Sequence, residues 1–199
     1  MAPEHQTTIA VPLCSVWVRP RATIRAVVDR GASGTIVLAG IFGLVVALSI
    51  VAQNQNVARS LRFDLIPLPV GFVCGIAFLY VMGALLRWTD NRLGGSGEGT
   101  AVRAAIAYSL VPLILSEALL ALYYFMGEKP AQKLFASALE LVGASLVIWS
   151  LPIFFVCLAE VHKFSIWKAL GCAGVSLAVL TGAYLVCLAV IFAISLRYR

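Results

Sequence analysis

The chain is poor in charge. Of 199 residues only 12% are Asp, Glu, Lys or Arg, against 61% hydrophobic, and the mean hydropathy is +0.97. So little polar surface cannot coat a soluble globule, which leaves an integral membrane protein. Histidine is scarcer still: with His5 and His162 alone, a histidine-based metal site is excluded. The five cysteines, Cys14, Cys74, Cys157, Cys172 and Cys187, form no C-x-x-C pair and read as small apolar filler, not as a disulfide framework or metal ligands. H-E-x-x-H, G-x-S-x-G and Walker sequences are missing, and Ser109 has no usual base nearby in the chain. These absences argue against an enzyme, and no cofactor is expected.

What is abundant is long apolar runs. Five of them, near Gly34 to Ala52, Leu65 to Leu86, Ala104 to Met126, Leu134 to Ala159 and Ala169 to Leu196, have roughly the 20 residues that a helix rising about 1.5 Å per residue needs to cross a hydrocarbon core. The fold class is therefore all-α: a polytopic membrane protein with a five-span helical bundle over residues 34–199, preceded by a tail over residues 1–33. The tail has four arginines but no apolar stretch ending in a small-residue cleavage site, so the first span is expected to be its own retained insertion signal.

Charge sets the orientation. The tail, the Arg87 to Arg103 connection and the Glu160 to Lys168 connection hold nine Lys and Arg; the other side holds six, Arg59, Arg62, Lys129, Lys133, Arg197 and Arg199. This bias predicts a cytoplasmic N-terminus and an exterior or lumenal C-terminus. Trp17, Trp88 and Trp167 fall at the proposed cytoplasmic face and Tyr123, Tyr124 and Tyr198 at the other, as interfacial aromatics should. The net charge of +6 then reads as attraction to anionic lipid headgroups. Nucleic acid is excluded as a partner, since the basic residues are dispersed and no binding motif accompanies them.

Within the tail, Pro20 opens and Gly31 closes a short helix with Ile24, Val27 and Val28 on one face and arginines on the other. It is expected to lie in the interface, either sensing the leaflet or serving as a plain topological anchor. In the spans, small residues recur every fourth position: Ala39, Gly43 and Ala47 in the first, Gly71 and Gly75 in the second, Gly174, Ala178 and Gly182 in the fifth. Such faces let helix backbones approach closely, and packing within the bundle is the expected use, with a homo-oligomer interface as the other. The Gly94 to Gly99 connection lacks the G-K-[ST] ending of a phosphate loop and reads as flexible.

Two acids lie inside the hydrocarbon zone. Glu117 in the third run and Glu140 in the fourth fall at nearly equal depth in an antiparallel hairpin turning near Lys129 and Pro130. An ionised side chain is costly at that depth, so such acids face the bundle interior, carry a proton or find a partner. Two readings stay open: a proton or cation site shared by the carboxylates, or a neutral Glu117 bonded across the bundle with Glu140 reaching water or Lys133. Arg103 and Glu160, closing the cytoplasmic ends of two spans, suggest an interfacial ion pair, and His162 beyond them a solvated connection residue.

The stretch Gly94-Gly95 through Arg103 to Tyr108-Ser109-Leu110-Val111-Pro112 resembles the central signature of the Yip-one (Ypt-interacting protein) domain family, in which a Gly-Tyr-x-x-x-Pro-like segment opens the third span. Trp17 to Arg25, with Pro20-Arg21-Ala22-Thr23, is similar to the Trp-x-x-Pro-x-x-Thr pattern of bacterial relatives, and Glu160 to Leu170 to their last connection. The resemblance implies a five-span bundle with a cytoplasmic N-terminus and, for a bacterial-type member, an inner-membrane location. In eukaryotic members it also implies self-association, membrane shaping and binding of Rab-type GTPases; the chain lacks their acidic N-terminal region and Asp-Leu-Tyr-Gly-Pro motif, so GTPase binding is not carried over. The expectation is a non-enzymatic scaffold or accessory subunit that binds membrane lipids and other membrane proteins or itself. A small transporter or channel subunit using Glu117 and Glu140 is the alternative. An embedded enzyme would need a polar cavity at Tyr108, Ser109 or Glu117.

Overall fold

A computed structural model of the protein describes residues 10–32, 34–53, 66–94, 97–126, 133–163 and 165–197, and among these every regular element is a helix. Arg59, Arg62, Gly95, Lys129, Pro130, Tyr198, Arg199 and the side chains of Lys133 and Cys187 lie outside the described set. The order is α1 (Ala10–Ser15), α2 (Pro20–Asp29), α3 (Thr35–Gln53), α4 (Pro67–Leu93), α5 (Gly99–Ser109), α6 (Val111–Met126), α7 (Lys133–His162) and α8 (Ile166–Arg197). Four stretches among the described residues are long and apolar enough to cross a membrane: Thr35–Gln53, Pro67–Arg92, Gly99–Phe125 and Ser137–His162. The fifth expected span corresponds to α8, a helix of 32 residues whose apolar part is described over Ile166–Gly182.

The third crossing is one stretch made of two helices. Pro112 has no N–H to give the carbonyl four residues back, and its ring crowds that turn, so the helix breaks there. The Leu110 N–H is shared between Ile106 O at 3.2 Å and Ala107 O at 3.3 Å, and the ladder resumes when the Ile114 N–H reaches Leu110 O at 2.8 Å. The piece before the break is the centre of the bundle: Ala101, Val102 and residues 104–110 are all buried, with α2, α3, α4 and α7 around them. A helix so rich in alanine can be surrounded on every side because it is narrow.

Small residues also bring α3 and α4 together, the most extensive helix pair in the structure. A Cβ placed on Gly43 would run into the Gly71 carbonyl oxygen and the Gly75 backbone, and one on Gly75 into the Ala39 carbonyl oxygen. The first two small-residue faces thus meet each other, in the close approach their spacing requires.

The N-terminal helix α2 ends in a Schellman turn: the Gly31 N–H reaches Val28 O at 3.0 Å and the Ala32 N–H reaches Val27 O at 2.9 Å, with Gly31 at φ +79°. Its apolar face is covered by protein. Thr23, Ile24 and Val27 are buried where α2 packs on α5 and α7, so the residues that leaflet sensing would need are spent on the bundle.

Candidate functional site

Glu117 on α6 and Glu140 on α7 line one cleft of about 240 Å³, together with Ser116, Tyr123, Gly143 and Ala144. The hairpin symmetry that set them at equal depth does bring them to the same place. A third helix joins: the buried Ser49 hydroxyl of α3 donates to Glu117 Oε2 at 2.7 Å. Ser116 donates to Gly143 O at 3.2 Å and so closes α6 on α7 at the cleft wall. Glu117 is half-buried and Glu140 is exposed, so one carboxyl is held by protein while the other meets whatever fills the cleft. Two oxygen-rich groups in such a place can hold a proton or a cation, and the Ser49 bond equally makes Glu117 a cross-bundle tie. Among the described residues no group of three or more His, Cys, Asp or Glu is placed to hold a metal ion.

At the opposite end of α7 stands a buried polar cluster that sequence reading missed. Asp90, near the end of α4, and His162, the last residue of α7, have no side-chain exposure, and His162 Nδ1 lies 2.8 Å from Asp90 Oδ2. The Gly97 N–H donates to the same oxygen at 3.1 Å. A Cβ on Gly97 would strike the imidazole, so the third residue of the cluster has to be glycine. His162 is therefore not a solvated connection residue, and the glycine-rich connection is pinned at Gly97. The signal was one acid and one histidine, each a single turn beyond an apolar run, and nothing local pairs them.

The expected ion pair between Arg103 and Glu160 is replaced. Glu160 Oε1 accepts from both Nε, at 3.1 Å, and a terminal guanidinium nitrogen of Arg25, on α2. Hydrogen bonding to Glu160, and then its charge, raises the Arg25 guanidinium above its ordinary value. Arg103 instead sits over the Tyr80 ring, 5.0 Å from its centroid, with its stem against Gly83. Several arginines share this end of the bundle, and packing of α2 on α7 decides which one reaches the acid.

Of the family-motif residues, Gly94 caps α4 at φ +78°, while Tyr108, buried near Gly34, and Pro112, which sets the break, lie on the central α5–α6 stretch. The third small-residue face departs from the internal packing expected of it. What α8 turns inward is Ala169, Cys172 and Ser176, with Ser176 Oγ 3.0 Å from Thr89 Oγ1 of α4. Gly174, Ala178 and Gly182 are exposed, and among the described residues a Cβ on Gly174 or Gly182 would meet nothing within 4 Å.

A comparison with known families decides the affiliation: the Yip1 domain model matches residues 14–195. The chain belongs to the Yip1 domain family. Neither the comparison with curated proteins nor that with solved structures gave a match. As a Yip1 domain protein, with its apolar helices, it is a multi-pass membrane protein.

Proposed function

We propose that this Yip1 domain protein is a non-enzymatic scaffold or accessory subunit that docks other membrane helices, its own copies included, through α8. The observation that carries this reading is the outward Gly174, Ala178 and Gly182 row, which has the spacing for close backbone approach and, at both glycines, no neighbour among the described residues. The N-terminus is cytoplasmic in this reading, supported by the gathering of α2, the α4–α5 connection and the α7–α8 connection, with their arginines and lysines, at one end. The test is to count copies per complex in native membrane extracts, and to identify co-purifying proteins, for the wild type and a Gly174→Leu, Ala178→Leu variant. Loss of association in the variant is expected; a wild type that stays a lone monomer without a partner sinks the proposal.

The cleft supports a second reading, a small transporter or channel subunit, because Glu117 and Glu140 share it. Proton or cation flux in liposomes that is unaltered by Glu117→Gln with Glu140→Gln removes that reading.

A further inference from the structure

The seam between α2 and the end of α7 carries a charge arrangement that the packing of the bundle does not use. Glu160 stands in the middle of it, 21% exposed, with Arg25 bound to its Oε1. On one side of this pair is a recess of about 220 Å³ lined by Arg21, Ala159, Glu160 and Lys163. Among the described lining residues Glu160 is the one acid, and its Oε1 is already engaged by Arg25, so the recess carries two cations, Arg21 and Lys163, against one paired carboxylate. Asp29 lines the neighbouring recess together with Arg25 and Lys163, so Lys163 borders both, whereas Arg21 lines only the first of the two.

Lys163 is held there by an unusual backbone. It follows the last turn of α7 at φ +55°, a left-handed conformation that a lysine adopts at some cost and that glycine or asparagine would take more readily. The segment that follows is at the headgroup level by its own chemistry: Trp167 is 78% exposed one turn later, beside Lys168, and Val18 is 80% exposed just before α2.

We propose that this recess binds a phosphate-bearing anion, in the membrane the headgroup of an anionic phospholipid, with Arg21 and Lys163 as its charged ligands. A guanidinium offers two parallel N–H donors to a phosphate and an ammonium offers a point charge, which together hold one tetrahedral anion from two sides. The volume is below the roughly 300–1,000 Å³ of sites for drug-sized molecules, so the recess takes a headgroup phosphate while the acyl chains stay in the bilayer. The same anion lies across the α2–α7 seam, so a bound headgroup fastens the N-terminal helix to the bundle. The inference does not depend on α8 docking, because the two experiments alter different residues.

The test uses the full chain in phosphatidylcholine nanodiscs doped with dansyl-labelled phosphatidylglycerol, with energy transfer from tryptophan reporting binding. Arg21→Gln and Lys163→Asn are each expected to weaken binding about fivefold, as the loss of one charge-assisted hydrogen bond to the phosphate should, and the double variant by more than about tenfold. Arg92→Gln, which removes an exposed charge at this end that does not line the recess, is the control: a headgroup held in the recess predicts a change of less than about twofold, whereas diffuse attraction to the leaflet predicts the same loss of about fivefold as at Arg21 or Lys163. Asparagine at 163 accepts the left-handed backbone, and unchanged unfolding of the variants keeps a lipid effect separate from misfolding. A loss for Arg92→Gln equal to that at Arg21 or Lys163, or none in the double variant, overturns the site. Inorganic phosphate titrated in undoped discs assigns the source: saturable binding that the double variant loses makes it a soluble phosphate site. Lipid binding alone makes it a headgroup site, and binding of neither overturns it.

Discussion

The same small-residue device occurs on α4 and on α8 and is used in opposite ways. Gly71 and Gly75 are pressed against Gly43 and its neighbours on α3, leaving no room for a single added carbon. Gly174, Ala178 and Gly182 repeat the spacing and face outward. Spacing encodes how near a second backbone can come; it does not encode whose backbone that is. On α4 the partner is the helix that precedes it in the chain, whereas α8 reaches α4 and α7 through a different stripe and turns its small face away from the other described helices.

The sharpest way to break this comparison is to fill the α3–α4 contact. Gly75→Leu pushes side-chain atoms into the Ala39 carbonyl oxygen and the Gly43 backbone, which cannot yield as a flexible side chain would. A loss of upward of about 3 kcal/mol is expected, more than ordinary overpacking costs, read as the midpoint of denaturant unfolding in detergent. A near-normal midpoint would mean that the two helices do not meet there.

Next in size is the cluster at the other end of α4. Asp90→Ala leaves His162 and the Gly97 N–H facing an empty place, and a cost of about 3 kcal/mol is expected for breaking a buried pair. The double variant Asp90→Ala, His162→Ala should cost less than the two single changes added together, because it removes both polar groups at once. Strict additivity in that cycle would show the groups to be uncoupled. Smaller again is Arg25→Gln. The guanidinium is exposed, so only a slight loss is expected, fading in high salt; a loss that persists there would place the pair in a drier site than the 68% exposure of the Arg25 side chain allows.

The parts of this fold that were legible in the sequence are those written in one stretch of chain. Apolar runs gave α3, α4, the α5–α6 crossing and α7, Pro20 and Gly31 bounded α2, and hairpin depth put Glu117 and Glu140 in one cleft. What stayed hidden depends on pairs of distant elements. Ser49 bonds Glu117 from a third helix, Asp90 meets His162 across the bundle end, and Arg25 takes the acid that Arg103 was expected to hold. The amphipathic pattern of α2 was equally silent on whether lipid or protein covers its apolar face, since both are dry and apolar surfaces.

The smallest effect on the fold is expected where the effect on association is largest. Leucines at 174 and 178 of α8 extend into space that, at Gly174, holds no atom of the described residues, so the unfolding midpoint should stay within about 0.5 kcal/mol of the wild type, as for substitutions that touch nothing. The contrast with Gly75→Leu is the informative quantity: one spacing, one kind of substitution, and opposite outcomes in unfolding and in copy number. If the α8 leucines destabilised the isolated chain as much as the α4 leucine does, α8 would have to turn that face inward, and the docking surface would vanish with it. If they left stability alone and abolished association, the outward row would be the place where this bundle meets its partner.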